Sequence, residues 1–160
     1  MSKKFLKNFN EFNDLRGRIK TFRNIKNFDL KQLNYSGSRR YVIRGMHYQY
    51  NNLINKIIYV THGKILDVLV NVKTKKVFYY YLNKNNPMLF IPKDFAHGFQ
   101  VLSDKVEMLY LFDGPYRKKD NIGFNIFDEK INIKWENPKK IILSQKDKLL
   151  GSFEDFLKYF

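Results

Sequence analysis

From Val42 to Phe112 the apolar positions come in short runs that alternate with polar ones. The runs Val42 to Gln49, Lys56 to His62, Lys64 to Val72, Lys76 to Leu82, Met88 to Ile91, Phe95 to Leu102 and Val106 to Phe112 are rich in Val, Ile, Tyr and Phe. Turn-forming groups separate them: Asn51-Asn52, His62-Gly63, Asn83 to Pro87, Ser103-Asp104 and Asp113-Gly114-Pro115. Short strands at close spacing predict an all-β barrel or sandwich. The first forty residues are less regular, with one strand expected over Arg18 to Phe22 and a helical turn near Asp29 to Leu33. The end of the chain, Ser152 to Phe160, reads as a short amphipathic helix capped by Ser152.

Side chains alternate across a strand, so spacing assigns them to faces. Lys56 shares a face with Ile58, Val60 and His62, and Asp67 with Ile65 and Leu69. His97 lies with Phe99 and Val101, and Tyr110 with Met108 and Phe112. Each of these polar groups interrupts an apolar face, where burial without a partner would cost several kcal/mol. The expectation is that they pair with one another or face a wet cavity.

Composition narrows the class. The chain has 160 residues, is 44% hydrophobic and has no cysteine. It fits one compact domain, with neither disulfides nor thiolate metal sites. The start, Met1-Ser2-Lys3-Lys4-Phe5, does not resemble a signal peptide, and no apolar run is long enough to span a membrane. A cytoplasmic protein without membrane or nucleic-acid partners is expected. The net charge of +15 suits polyanions or phosphorylated metabolites. The lysines, however, are spread from end to end, and Lys, Asn, Ile, Phe and Tyr are abundant together, as AT-rich coding produces. A nucleic-acid surface usually concentrates its charge.

Two segments carry the chemistry. Arg44-Gly45-Met46-His47-Tyr48-Gln49 and Ile91-Pro92-Lys93-Asp94-Phe95-Ala96-His97-Gly98-Phe99 hold two of the three histidines. An imidazole on a rigid strand beside arginine and tyrosine suits proton transfer on an anionic substrate. His62, next to Gly63, reads instead as a surface turn residue. Tyr79-Tyr80-Tyr81 reads as a packed sheet face, and Arg117-Lys118-Lys119 as a solvated turn.

These two segments resemble the nucleotide-sugar 3,5-epimerases that act on dTDP-4-dehydrorhamnose. The resemblance extends to Gly63 through Val68, Val101-Leu102-Ser103, Glu107 through Tyr110, Asp128-Glu129, Trp135, Leu143-Ser144 and Lys146-Asp147. Upstream it takes in Asp14-Leu15-Arg16-Gly17 and Gln32-Leu33-Asn34. It implies a cupin-type jelly-roll barrel with short C-terminal helices, a single domain over residues 1–160. It also implies a homodimer in which residues 1–40 contribute to the dimer and the substrate site. The implied partner is a nucleotide-diphosphate sugar in deoxysugar or surface-polysaccharide synthesis, with no cofactor and no metal.

The implied reaction is sound chemistry. In a 4-keto sugar the protons on C3 and C5 are both α to the ketone. A base on one face, an acid on the other and a cation near the enolate oxygen therefore suffice for inversion. By resemblance His47 is the base, Asp128 its carboxylate partner, Tyr110 the acid and Lys56 the cation. His97, coupled to Asp67, and Tyr116 are implied at the substrate. Arg16 and Arg44 suit the diphosphate, because guanidinium binds phosphate oxygens bidentately. Gln32 and Asn34 suit the sugar or base. The chain departs from the family pattern at Ile126, Phe127, Asn71, Lys73 and Thr21, which bears on the identity of nucleotide and sugar. Competing readings are a 3,4-ketoisomerase or single-centre 3-epimerase, a metal-dependent cupin enzyme and a basic nucleic-acid-binding module. The metal reading lacks its first ligand pair, since Tyr48 and Gln49 follow His47.

Overall fold

The computed structural model describes residues 10–21 and 28–160. Its strands are β1 (Asn10–Asp14), β2 (Gly17–Thr21), β3 (Gln32–Arg39), β4 (Ile43–Gln49), β5 (Lys56–His62) and β6 (Ile65–Asn71), followed by β7 (Val77–Leu82), β8 (Met88–Ile91), β9 (Phe95–Val101), β10 (Lys105–Phe112) and β11 (Asn121–Gly123). Two short helices close the chain, α1 (Gln145–Lys148) and α2 (Phe153–Leu157). The strands form a β1-β2 hairpin, a four-stranded sheet ordered β3-β10-β5-β8 and a five-stranded sheet ordered β11-β4-β9-β6-β7. All the ladders are antiparallel.

The alternation read from the sequence explains the packing. Ile58, Val60, Ile65, Leu69, Leu89, Phe99, Val101 and Met108 point between the two larger sheets and form one core. Leu66, Val68 and Val70 point the other way on β6 and are also buried. They are covered by the C-terminal segment, whose Phe124, Ile126, Ile131, Trp135, Phe153 and Phe156 make a second core with them. A strand buried on both faces reads as a nearly continuous apolar run, and β6 is one. Leu82 on β7 and Ile91 on β8 complete the inner layer.

Two expectations need correction. The jelly-roll barrel does not close. Among the described residues no ladder joins the two larger sheets, so β3 and β8 remain edges of one and β11 and β7 edges of the other. The architecture is two facing antiparallel sheets, and the C-terminal helices amount to about one turn each. The helical turn expected over Asp29 to Leu33 is also absent: Lys31 N donates to Phe112 O, and β3 starts at Gln32. The expected strand over Arg18 to Phe22 corresponds to β2, with Phe22 outside the described residues.

One close approach positions the site. Gly45 on β4 has φ +142°, and a Cβ there would lie 2.6 Å from Gly98 Cα. At Gly98 a Cβ would meet Met46 Sδ at the same distance. Only glycine at both positions lets β4 and β9 touch here. The β4–β9 register shifts between Arg44 and His47 and sets His47 directly across from His97.

Candidate active site

Between the sheets lies a cavity of about 950 Å³. Its walls come from different sheets. β4 and β9 of the five-stranded sheet supply Arg44, His47, His97 and Phe99. β3, β5 and β10 of the four-stranded sheet supply Asn34, Lys56, Tyr110 and Phe112. Tyr116, Lys118 and Asn121 border it on one side, and Ser144, Lys146 and Asp147 on another. An imidazole and a phenol therefore face one space from opposite walls.

His47 is held by a carboxylate. Its Nε2 lies 3.1 Å from Asp147 Oδ1, with Asp147 buried and the imidazole a quarter exposed. A carboxylate on Nε2 fixes the tautomer with the proton there and leaves Nδ1 its lone pair. Nδ1 has no hydrogen-bond partner among the described residues. Burial alone would raise the Asp147 carboxyl. Hydrogen bonds from His47 and Ser144, the His47 charge and the Gly45 backbone amide outweigh it and hold the group below the ordinary carboxylate value.

A second pair stands beside the first. On β6 and β9, Asp67 is diagonal to His97 across the ladder, and His97 Nε2 lies 2.8 Å from Asp67 Oδ2. Asp67 is fully buried behind the histidine and does not line the cavity. Burial raises its carboxyl, opposed by His97 and Lys56. Lys56 is the reverse case: burial pushes its ammonium down to about 8, and Asp67 pulls the other way. Tyr110 is paired with Ile58 and Phe112 with Lys56, so Lys56 and Tyr110 are diagonal neighbours on one face. Burial raises the Tyr110 phenol well above its usual value, Asp67 adding to this and Arg44 opposing it. Neutral phenol and buried ammonium thus share a wall.

The other sequence candidates separate. Arg44 points its Nε at Ser38 Oγ, 3.1 Å away on β3. Gln32 lies behind the cavity wall, donating to Asn34 Oδ1 at 2.9 Å and accepting from Tyr116 N at 2.9 Å, so it braces two lining residues. Arg16 is not in the cavity. It sits in the β1-β2 turn, 87% exposed, paired with Asp14. Asp128 is the clearest correction: it is not the partner of His47. Its Oδ1 accepts from Lys130 N at 3.0 Å and Ile131 N at 3.2 Å, and its Oδ2 from Phe153 N at 2.8 Å. These bonds make it a turn and helix cap in the C-terminal segment.

Sequence reasoning missed Asp147 as the carboxylate at His47, and it missed Lys118, Asn121, Ser144 and Lys146 as cavity residues. A signal for Asp147 was present in Ser144-Gln145-Lys146-Asp147, whose Ser-x-x-Asp spacing marks a helix start. Among the described residues no group of three or more His, Cys, Asp or Glu side chains is arranged to hold a metal ion. Nor is any helix long and apolar enough to cross a membrane.

Comparison with known proteins gives the site its context. The family model described as dTDP-4-dehydrorhamnose 3,5-epimerase matches residues 5–155. The dTDP-4-dehydrorhamnose 3,5-epimerase of Escherichia coli K12 is 34% identical over 134 residues, 79% of this chain and 72% of that protein. Its counterpart from Salmonella typhimurium is 32% identical over 152 residues, 89% of this chain and 79% of that protein. Among solved structures, the dTDP-6-deoxy-D-glucose-3,5-epimerase of Legionella pneumophila, in complex with dTDP-4-keto-L-rhamnose, superposes with a TM-score of 0.85 at 26% identity, covering 91% of this chain and 85% of that one. The dTDP-4-dehydrorhamnose 3,5-epimerase of Bacillus anthracis, with TDP and pyrophosphate bound, gives 0.82 at 30% identity, with 90% of each chain covered.

Proposed function

This chain belongs to the dTDP-4-dehydrorhamnose 3,5-epimerase family, and we propose that it inverts C3 and C5 of a dTDP-linked 4-keto-6-deoxy sugar through enolates, with His47 as base and Tyr110 as acid. The family resemblance read from the sequence holds, and this homology supports an epimerase-type reaction on a dTDP-sugar. The observation that carries the finer reading is that His47 and Tyr110 line one cavity from opposite sheets.

In this reading the substrate lies between the sheets with its C4 ketone toward Lys56. His47 takes the proton α to the ketone as the base. Asp147 then stabilises the imidazolium that forms. The negative charge moves to the ketone oxygen, where the buried Lys56 ammonium opposes it in a medium of low dielectric. Tyr110 gives its phenolic proton to the opposite face of the same carbon. Burial favours the neutral phenol, which keeps the proton in place until the enolate exists. One inversion leaves an imidazolium and a phenolate, and exchange with water restores both before the next. Arg44 binds the diphosphate, Asn34 and Tyr116 the sugar or base, and His97, held by Asp67, orients the sugar.

The homodimer belongs to the same proposal. Leu33 and Tyr35 on edge strand β3 are exposed, as are Phe12 and Ile19, which face each other across the β1-β2 hairpin. Apolar groups on an edge strand and on a projecting hairpin suit a second copy of the chain. The hairpin would carry Arg16, unplaced at its own cavity, toward the partner's diphosphate.

The test is incubation of the dTDP-linked 4-keto-6-deoxy-glucose substrate with the protein in D2O, followed by NMR of the sugar. Deuterium at C3 and at C5, with both centres inverted, is the expected result. Label at neither carbon refutes epimerisation, and migration of the ketone to C3 identifies a ketoisomerase instead.

A further inference from the structure

The chain uses the helix-capping sequence Ser-x-x-Asp twice, and the two copies are built differently. At α2 the box is complete. Ser152 Oγ accepts from Asp155 N at 3.1 Å, and Asp155 Oδ2 accepts in return from Ser152 N at 3.2 Å and from Ser152 Oγ at 2.7 Å. At α1 only the serine half matches: Ser144 Oγ accepts from Asp147 N at 3.1 Å. The Asp147 carboxylate, which a capping box would fold back onto the N-cap amide, is turned to His47 Nε2 instead. The Gly45 backbone amide and the Ser144 hydroxyl also help to hold this carboxyl below the ordinary value.

The one-turn helix that carries Asp147 is tied down on both sides. Before it, Ile142 bridges β4 at its start: Ile43 N donates to Ile142 O at 3.0 Å, and Ile142 N to Tyr41 O at 2.9 Å. Within it, Lys146 Nζ donates to Asn121 O at 3.3 Å. Asn121 opens β11, whose Gly123 pairs with His47 itself. The helix therefore hangs from the strand that holds His47 and from the strand beside it. An isolated four-residue helix has little stability of its own, so the cap and these ties decide where its N3 side chain points.

We propose that Ser144 is a positioning residue for the base: its half-made cap fixes α1 so that the Asp147 carboxylate is presented to His47 rather than to its own helix. This rests on the reading of His47 as the base. It adds that the cap of α1 is spent on the active site, whereas the cap of α2 serves only its helix. The groups facing the Asp147 carboxylate are His47 and Gly45 from β4 and Ser144 from its own turn. The Tyr116 phenol also feels its charge.

The experiment compares Ser144→Ala, Ser144→Thr and Ser152→Ala. Ser144→Ala is expected to lower kcat about tenfold, the scale seen when a group supporting a reacting residue is removed, with KM for the dTDP-sugar unchanged. Ser144→Thr, which keeps the hydroxyl, is expected to restore kcat. Ser152→Ala removes the same chemistry from α2 and should lower Tm while leaving kcat alone. Independently of turnover, the Asp147 carboxyl, followed by carbon-13 NMR, should titrate at higher pH in Ser144→Ala and not in Ser152→Ala. An unmoved Asp147 titration, a KM effect in place of the kcat effect, or equal kcat losses in both alanine variants would overturn the proposal. If the wild type does not epimerise the sugar, the proposed function fails, and the Asp147 titration still decides the positioning role of Ser144.

Discussion

Two aspartates that the sequence cannot rank are separated by their hydrogen bonds. Asp128 satisfies three backbone amides in the C-terminal segment, whereas Asp147 is paired with His47. Asp147→Asn keeps the shape but loses the charge that stabilises an imidazolium, and should lower kcat by about 10²-fold or more. Asp128→Ala should instead cost about 1–3 kcal/mol of stability, the usual price of orphaned amides, with kcat close to wild type. Urea unfolding set beside steady-state kinetics separates the two, and a large kcat loss in folded Asp128→Ala would return Asp128 to the site. Lys56 gives a pH signature. Its folded-state value of about 8 lies below the usual 10.5. Below pH 8 both states hold the proton, so the cost of burying the ammonium is fully present. Between about 8 and 10.5 the unfolded chain keeps a proton that the folded chain has released, so stability rises with pH. Relative to Lys56→Met, the wild type should gain up to about 3 kcal/mol across that window; parallel stability curves would contradict the burial of a charged Lys56.

Among the elements, legibility in the sequence follows burial. Strands β4 to β10 were readable because each sets an apolar face against a core, and β6 sets two. β3 was not. Leu33, Asn34, Tyr35 and Ser36 all border the cavity, and the strand's large apolar residues Leu33 and Tyr35 are exposed, so no buried apolar period marks it. β11 and α1 are three and four residues long, too short for any period. Their places are set by pairing with β4 and by the ties at Ile142 and Lys146. Alternation put Asp67 and His97 each on an apolar face, and the family resemblance implied the coupling that their 2.8 Å contact shows. The Gly45–Gly98 contact is where one element can be tested. Gly45→Ala would drive a Cβ into Gly98 at a φ that disfavours side chains. It should cost about 2–4 kcal/mol and move the Gly45 amide that supports Asp147. Unchanged Tm and kcat in this variant would show that the strands need no such contact.

On the scale of the whole molecule, two facing sheets leave a cavity open between them, and one basic chain surrounds it. Among the described residues Arg44, Lys56, Lys118 and Lys146 line it against one carboxylate, Asp147, within a net charge of +15. A diphosphate-bearing substrate should be drawn in electrostatically, so kcat/KM should fall about threefold or more between low and physiological salt while kcat stays level. A flat salt profile would leave the basic composition to coding bias alone. Arg16 belongs to this scale because its own cavity does not hold it. Arg16→Gln should raise KM, and Phe12→Asp should both weaken self-association in sedimentation and reproduce that KM. A monomeric, fully active Phe12→Asp would remove the partner from the account. The central claim is that the imidazole and the phenol work from opposite sides of the sugar, and deuterium uptake by the His47→Asn and Tyr110→Phe proteins in D2O tests it most directly. Both folded variants should lose inversion at C3 and C5 by orders of magnitude, with label uptake abolished when the base is removed; Tyr110→Phe that still exchanges and inverts both carbons at the wild-type rate would contradict it.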